Sequence, residues 1–264
     1  MTAWLNGTLV EQARLDCADR GFTLGDGLFE TLCLADGAAR HWDRHWVRFT
    51  NGAKVLGIPI LYGQADVLAA IVDLARVNAL TDGVVRLTLS RGPGARGLLP
   101  PVVPTPTFLA TLAASAAPLG PARLSVCHIT RRNQFSPLSR IKSLNYLDGI
   151  LARQDAADKG FDDALLLNTA GQVVETTVSS LFALMGGQLV TPPIADGALP
   201  GVARGLVLER LGARERSLSV DDLLKADEIV LTNALGSRPV VAIDATTFAV
   251  GQKSQEIQEI IQRP

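Results

Sequence analysis

Residues Ala114–Pro121 form a run of Ala, Ser, Pro, Leu and Gly, and they divide the 264-residue chain into two halves. A stretch of this composition reads as a linker between domains. We therefore expect an N-terminal domain over residues 1–113, a linker over 114–121 and a C-terminal domain over 122–264. Each half mixes strand-like and helix-like segments without strict β-α alternation. That pattern points to two α+β domains rather than one doubly wound sheet.

The N-terminal half opens on hairpin signals. Ala3–Leu5 and Thr8–Val10 flank Asn6-Gly7, and Phe29–Leu34 is turned by Asp36-Gly37 into Ala38–His41. A helix with Asp43 in its first turn runs to Leu56 and stops at Gly57; a second spans about Ala65–Val77. Val84–Ser90 and Thr107–Ala113 read as strands. Between them lies the Gly-rich stretch Arg91–Gly97.

Beyond the linker, Arg123–Ile129 reads as a strand and Leu144–Lys159 as a helix closed by Gly160. Short strands follow at Ala164–Asn168, Gln172–Val174, Leu181–Leu184 and Gln188–Val190. Val202–Leu211 is a helix, and Ser219 to Asp222 has capping-box character for a short helix over Val220–Leu224. Ile229–Thr232 and Val240–Ile243 are strands, and Ser254–Gln262 is a helix.

Charge and cysteine usage narrow the function classes. Lys plus Arg number 25 against 26 Asp plus Glu, a formal net charge of −1. A balance this even leaves no electrostatic footprint for nucleic acid or an anionic membrane. Cys17, Cys33 and Cys127 are far apart, form no Cys-x-x-Cys, and with three His give no zinc spacing. The sparse, odd count suits a reducing cytoplasm. No basic stretch followed by an apolar one opens the chain, and the longest apolar run, near Phe108–Leu119, is interrupted by Thr and Ser. The expectation is a cytoplasmic protein acting on a small molecule, with no metal.

Individual residues carry the chemistry. Lys142, in Ser139-Arg-Ile-Lys-Ser-Leu-Asn-Tyr146, lies just before a helix. The like charge of Arg140 beside it favours a neutral, nucleophilic amine. Glu175 ends an apolar stretch, where a buried carboxylate needs a partner such as a protonated ring nitrogen. Leu199-Pro-Gly-Val-Ala-Arg204 enters a helix and so offers backbone N–H groups to an anion. Thr232 to Pro239 reads as a Gly-containing turn of small polar residues, which also suits a phosphate. Arg48, in His45-x-x-Arg48, offers a phosphate a fork of donors; His45 reads as an orienting or structural histidine. Each signal alone is weak. Together they describe an amine nucleophile, a carboxylate for a ring nitrogen and several phosphate-holding elements, the parts that pyridoxal phosphate needs.

The order of these motifs resembles the class IV, or fold-type IV, pyridoxal-phosphate enzymes. The matching stretches are Asp19 to Thr31 (Asp-Arg-Gly-Phe-Thr-Leu-Gly-Asp-Gly-Leu-Phe-Glu-Thr), His45-x-x-Arg48, Lys142-x-x-Asn-Tyr146, Gly171-x-x-x-Glu175, Leu199 to Arg204 and Ala226 to Asn233. The resemblance implies a D-amino-acid aminotransferase-like fold: two α+β domains with pyridoxal 5'-phosphate between them, usually as a homodimer whose partner helps to close the site. It implies Lys142 as the Schiff-base lysine and proton shuttle, and Glu175 as the partner of the pyridine nitrogen. Tyr146 aligns with a tyrosine near the ring hydroxyl. Arg48, the backbone at Val202 and Ala203, and Asn233 align with the phosphate cup. Thr176 and Ser180 depart from the family, where Gly often follows the glutamate and Asn stands five positions beyond it.

Within the family, Ser90 to Gly97 is similar to the Arg-Gly-x-Gly-x-Arg-Gly loop of aminodeoxychorismate lyases, and Leu231 to Val240 to their Asn-Ala/Ser-Leu segment. The implied reaction converts 4-amino-4-deoxychorismate to 4-aminobenzoate and pyruvate, a folate-precursor step. Bidentate geometry motivates Arg91 and Arg96 as clamps for the two substrate carboxylates. Ile141-Lys-Ser-Leu-Asn145 is similar to D-amino-acid aminotransferases, which keeps open transamination of a D- or branched-chain amino acid. A non-catalytic, cofactor-binding protein is a third reading; an amine nucleophile is superfluous in one.

Overall fold

The computed structural model describes residues 2–117 and 119–263; Pro118, inside the expected linker, lies outside them. The chain divides into two units. The first is Met1–Ala116 together with Ile141–Asn145, and the second is Ala117–Arg140 together with Tyr146–Pro264.

In chain order the first unit contains β1 (Ala3–Leu5), β2 (Thr8–Val10), α1 (Arg20–Leu24), β3 (Gly27–Ala35), β4 (Ala38–Ala39), α2 (Trp42–Leu56), α3 (Gln64–Val77), β5 (Gly83–Ser90) and β6 (Thr107–Ala113). Its sheet has the order β2-β1-β6-β5-β3-β4, antiparallel throughout. Side chains alternate across β3, and Leu28, Glu30, Leu32 and Leu34 all point into the core. Opposite them in register stand Leu89, Leu87, Val85 and Gly83 of β5. Helix α2 covers this face with Trp42, His45, Phe49, Gly52 and Ala53, a three-and-four spacing that makes one buried stripe. Helix α3 does the same with Val67, Ala70, Ile71, Leu74 and Ala75. Each large apolar side chain so buried contributes roughly 1.5–3 kcal/mol.

The second unit contains β7 (Ala122–Val126), α4 (Leu147–Asp158), β8 (Asp163–Leu167), β9 (Val173–Thr176), β10 (Ser180–Met185), β11 (Gln188–Thr191), α5 (Val202–Leu211), β12 (Arg214–Glu215), α6 (Val220–Leu223), β13 (Glu228–Asn233), β14 (Gly236–Ile243), β15 (Thr246–Thr247) and α7 (Lys253–Gln262). The sheet order is β12-β11-β10-β13-β14-β7-β8-β9, with β15 paired to β14. Strands β8 and β9 are buried along their whole length, so their polar residues Asp163, Glu175 and Thr176 are buried with the apolar ones. Helices α5 and α7 pack over Phe182 and Val230 through Val207, Ile257 and Ile261.

Four local departures from the sequence reading have physical causes. The helix expected from Leu144 begins at Leu147. Residues before it are extended instead: Phe29 N–H donates to the Lys142 carbonyl (2.8 Å) and Leu144 N–H to the Gly27 carbonyl (2.9 Å). Pairing with β3 therefore moves Ile141–Asn145 from the expected second domain into the first unit. The strand expected over Ala38–His41 stops at Ala39, and His41 has a left-handed backbone at the entry to α2. Helix α1 is too short to show a periodic pattern in the sequence; the Asp19 side chain caps it by accepting from Gly21 N–H. The turn expected over Thr232 to Pro239 shrinks to Ala234 and Leu235, because β13 runs to Asn233 and β14 starts at Gly236.

Candidate active site

Within the first unit, the extended segment beside β3 presents Lys142 half-buried. Its Nζ lies 4.4 Å from the centroid of the Phe29 ring. The Arg86 guanidinium carbon lies 3.8 Å from the same centroid. Two cations thus share one aromatic ring, whose negative face attracts both.

One residue further along β3, on the core side, Glu30 is buried at 1% exposure. A lone carboxylate there would be prohibitively desolvated. Instead Arg48 forks onto it, Nε to Oε1 and Nη2 to Oε2, both at 2.7 Å. His45 Nδ1 stands 2.9 Å from Oε2. Burial works to raise the Glu30 pKa. Arg48, by charge and hydrogen bonds, and His45 outweigh it and hold the carboxyl at about 2. Burial pushes His45 below its ordinary value, against the raising effect of Glu30. A neutral His45 facing an ionised carboxylate carries its proton on Nδ1 and donates it to Glu30. His45 is therefore an orienting histidine.

Arg91 does not do what the sequence reading assigned to it. It is 7% exposed. Its Nε and Nη2 donate to Asp26 at 2.7 and 3.0 Å, while Nη1 donates to the Gly57 carbonyl (3.0 Å) and Nη2 to the Leu56 carbonyl (2.6 Å). It ties the end of α2 to Asp26. Turning it toward a substrate would break all four of these bonds, so the expectation of a carboxylate clamp at Arg91 is corrected. Arg96 of the same loop is exposed.

Within the second unit, Glu175 on β9 is 8% exposed. Arg132 Nη2 lies 3.0 Å from Oε1, and Leu199 N–H donates to Oε2 at 3.0 Å. Arg132 also donates to the carbonyls of Ser139 and Gly197. Glu175 is thereby fastened to the segment that enters α5.

That helix starts at Val202 and Ala203, both buried, and its first amides have no acceptor within the helix. Gly201 before it lies close to Ser180: a Cβ there would come 2.8 Å from Ser180 Oγ. Ser180 pairs across the strands with Thr232, so their side chains share a face. Thr232 Oγ1 is buried and has no hydrogen-bond partner among the described residues. A helix N-terminus, a close-packed Gly and an orphaned hydroxyl fit a phosphate group. Asn233 supports this corner indirectly: its Oδ1 accepts from Leu235 N–H (2.9 Å) and its Nδ2 donates to Ser179 Oγ (3.1 Å). Tyr146 stands half-buried at the entry to α4.

The structure thus groups the expected residues in two sets. Lys142 and Arg48 lie around β3; Glu175, Val202, Ala203 and Asn233 lie around β9, β10, α5 and β13. Sequence reasoning missed Glu30 as the partner of Arg48 and Arg132 as the partner of Glu175. Glu30 was findable, since a carboxylate at the apolar phase of a strand must be paired. Arg132 carries no such signal. Among the described residues, no group of three or more His, Cys, Asp or Glu stands where it would hold a metal ion, and no helix is long and apolar enough to cross a membrane.

Comparison with known proteins agrees with this chemistry. A relative from Methanocaldococcus jannaschii, described as a candidate branched-chain-amino-acid aminotransferase, is 32% identical over 98% of this chain and 94% of its own length. An aminodeoxychorismate lyase of Vibrio harveyi is 31% identical over 97% of both. The crystal structure of 4-amino-4-deoxychorismate lyase from Pseudomonas aeruginosa matches with a TM-score of 0.86 at 33% identity, covering 97% of each chain. A branched-chain amino acid aminotransferase from T.th., solved with pyridoxamine 5'-phosphate, matches with a TM-score of 0.89 at 25% identity, covering 98% of this chain and 92% of that one.

Fold and site together define a pyridoxal-phosphate-dependent enzyme. The model for the amino-transferase class IV family matches residues 27–243, and the chain belongs to that family.

Proposed function

We propose that this enzyme is a 4-amino-4-deoxychorismate lyase, releasing 4-aminobenzoate and pyruvate in a folate-precursor step. The observation that carries the reading is the Gly-rich loop after β5, similar to that of the lyases, which locks Arg91 inside and leaves Arg96 exposed for a substrate carboxylate. The lyase relatives from Vibrio harveyi and Pseudomonas aeruginosa, each covered almost end to end, support it.

Pyridoxal phosphate, when bound, supplies a sink for the electron pair left by a broken C–H bond. The N-terminal amides of α5 and the Thr232 hydroxyl hold its phosphate, with Asn233 shaping the turn beside them. Arg48, its fork held by Glu30, would contribute positive charge rather than a second fork. Glu175, held by Arg132 and the Leu199 amide, would pair with the ring nitrogen, and Tyr146 with the ring hydroxyl. The Lys142 amine would hold the cofactor carbonyl. Toward the substrate, Lys142 accepts the proton from ring C4 and returns a proton to the departing enolpyruvyl group as its C–O bond breaks. Arg96 binds a carboxylate of the substrate. The two products together contain every atom of the substrate, so no second reactant is consumed. Following the family resemblance, the working form is a homodimer.

The second reading, transamination of a D- or branched-chain amino acid, is favoured by Ile141 to Asn145 and by the Methanocaldococcus relative. The two separate in a spectrophotometer. Holoenzyme mixed with excess D-alanine or leucine, with no keto acid, keeps its visible absorbance if it is a lyase. Loss of that absorbance in a single half-reaction, with one equivalent of keto acid released per site, would support the aminotransferase.

A further inference from the structure

The Asp19-Arg-Gly21 motif takes no part in the chemistry above, yet its side chains are nearly all buried and engaged. Arg20 is 4% exposed. Its Nε donates to Asp26 Oδ2 at 2.8 Å, its Nη1 to the Gly97 carbonyl and its Nη2 to the Leu98 carbonyl, both at 2.9 Å. Its backbone N–H donates to the Gly92 carbonyl (2.9 Å), and Gly94 N–H donates to the Ala18 carbonyl (3.2 Å). Asp19 accepts from Ser90 Oγ (2.9 Å) and Thr107 Oγ1 (2.7 Å), the residues at the two ends of the strands that flank the loop.

The loop is therefore wrapped on the Arg20 stem. A Cβ at Gly94 would come 2.9 Å from Arg20 Cδ. At Gly92, with φ of 82°, a Cβ would come 1.7 Å from the Thr105 carbonyl oxygen. Asp26 receives both Arg20 and Arg91, so one carboxylate anchors the two ends of the loop. Arg91 fixes where it starts. Arg20 fixes the carbonyls immediately after Arg96, the loop's exposed cation.

We propose that Arg20 is a positioning residue: by holding the carbonyls of Gly97 and Leu98 it sets the placement of Arg96 and hence the affinity for a substrate carboxylate. The proposal rests on the reading of Arg96 as a substrate-binding residue. A buried guanidinium is costly unless it is paired, and here the acceptors are Asp26 and two carbonyls of this loop. Fixing a long exposed side chain through its backbone limits the conformational freedom lost on binding.

The test compares Arg20→Met, Arg96→Ala and their combination as holoenzymes acting on 4-amino-4-deoxychorismate. Misplacement should raise KM roughly tenfold in Arg20→Met with kcat within about twofold, since binding and not chemistry is weakened. Arg96→Ala should raise KM at least as much, and the combination should be no worse than Arg96→Ala alone. Amide hydrogen exchange over residues 94–99 should quicken in Arg20→Met. Arg20→Lys keeps the charge on Asp26 but cannot span both carbonyls, and it stands in if the Met variant does not fold. A raised KM in Arg96→Ala with an unchanged KM in the Arg20 variants overturns the proposal and leaves the substrate reading intact. Additive effects in the combination overturn it equally. An unchanged KM in Arg96→Ala overturns the substrate reading, and with it the claim that Arg20 sets affinity; unchanged exchange overturns the positioning of the loop itself.

Discussion

Replacing Lys142 with alanine is expected to leave a folded protein whose turnover has fallen roughly 10²–10⁴-fold, the scale of losing a positioned acid–base group. The segment around it is held by backbone bonds, Phe29 N–H to the Lys142 carbonyl and Leu144 N–H to the Gly27 carbonyl. Neither needs the lysine side chain. Truncation takes the amine away from the Phe29 ring, a cation–π interaction of roughly 0.5–1 kcal/mol. Stability and activity therefore separate: the melting temperature moves little while single-turnover rates collapse. The absorbance of lysine-linked cofactor should vanish as well. Activity within tenfold of the natural protein would remove Lys142 from the mechanism.

Glu30→Ala should do the opposite and damage stability first. Breaking a buried pair by removing one partner costs about 3–5 kcal/mol, because Arg48 and His45 keep their burial and lose their acceptor. Urea denaturation reads that loss directly. The same group governs acid sensitivity. With its carboxyl held at about 2 against an ordinary 4.5, Glu30 is deprotonated in the folded chain where the unfolded chain has begun to bind a proton. Its contribution is complete above about pH 4.5 and disappears as pH falls toward 2. His45 acts earlier in the same direction. Its folded value lies below 6.5, so the unfolded chain takes up that proton first and stability begins to fall below about pH 6.5. Glu30→Gln should flatten the pH dependence of stability between about 4.5 and 2. An unaltered profile would mean that the carboxylate does not control it.

Much of this architecture is legible in the residues because it is local. Asn6-Gly7 sets a hairpin, Gly57 ends α2, and the helix over Val202–Leu211 has the limits that its sequence suggests. Glu175 stands out because a carboxylate in an apolar stretch needs a partner, Lys142 because Arg140 stands beside it, and Arg48 because a helix carries its fork of donors. What stayed hidden depends on chain segments meeting from far apart. Nothing near Lys142 announces that its segment leaves the second unit to pair with β3. Arg91 and Arg96 look equivalent in a Gly-rich loop, yet Asp26 and the end of α2 absorb the first while the second is exposed. Asp19 and Arg20 begin a motif whose resemblance was visible and whose task was not, because the hydroxyls that bind Asp19 and the carbonyls that accept from Arg20 lie about 70–90 residues further along the chain.

The most direct measurement of the central claim is the product balance from 4-amino-4-deoxychorismate alone, with no keto acid added. The lyase reading requires 4-aminobenzoate and pyruvate in equal amounts, formed over many turnovers and lost in Lys142→Ala. Cofactor-loaded protein that yields neither, while exchanging amino groups between leucine or D-alanine and 2-oxoglutarate, would contradict it.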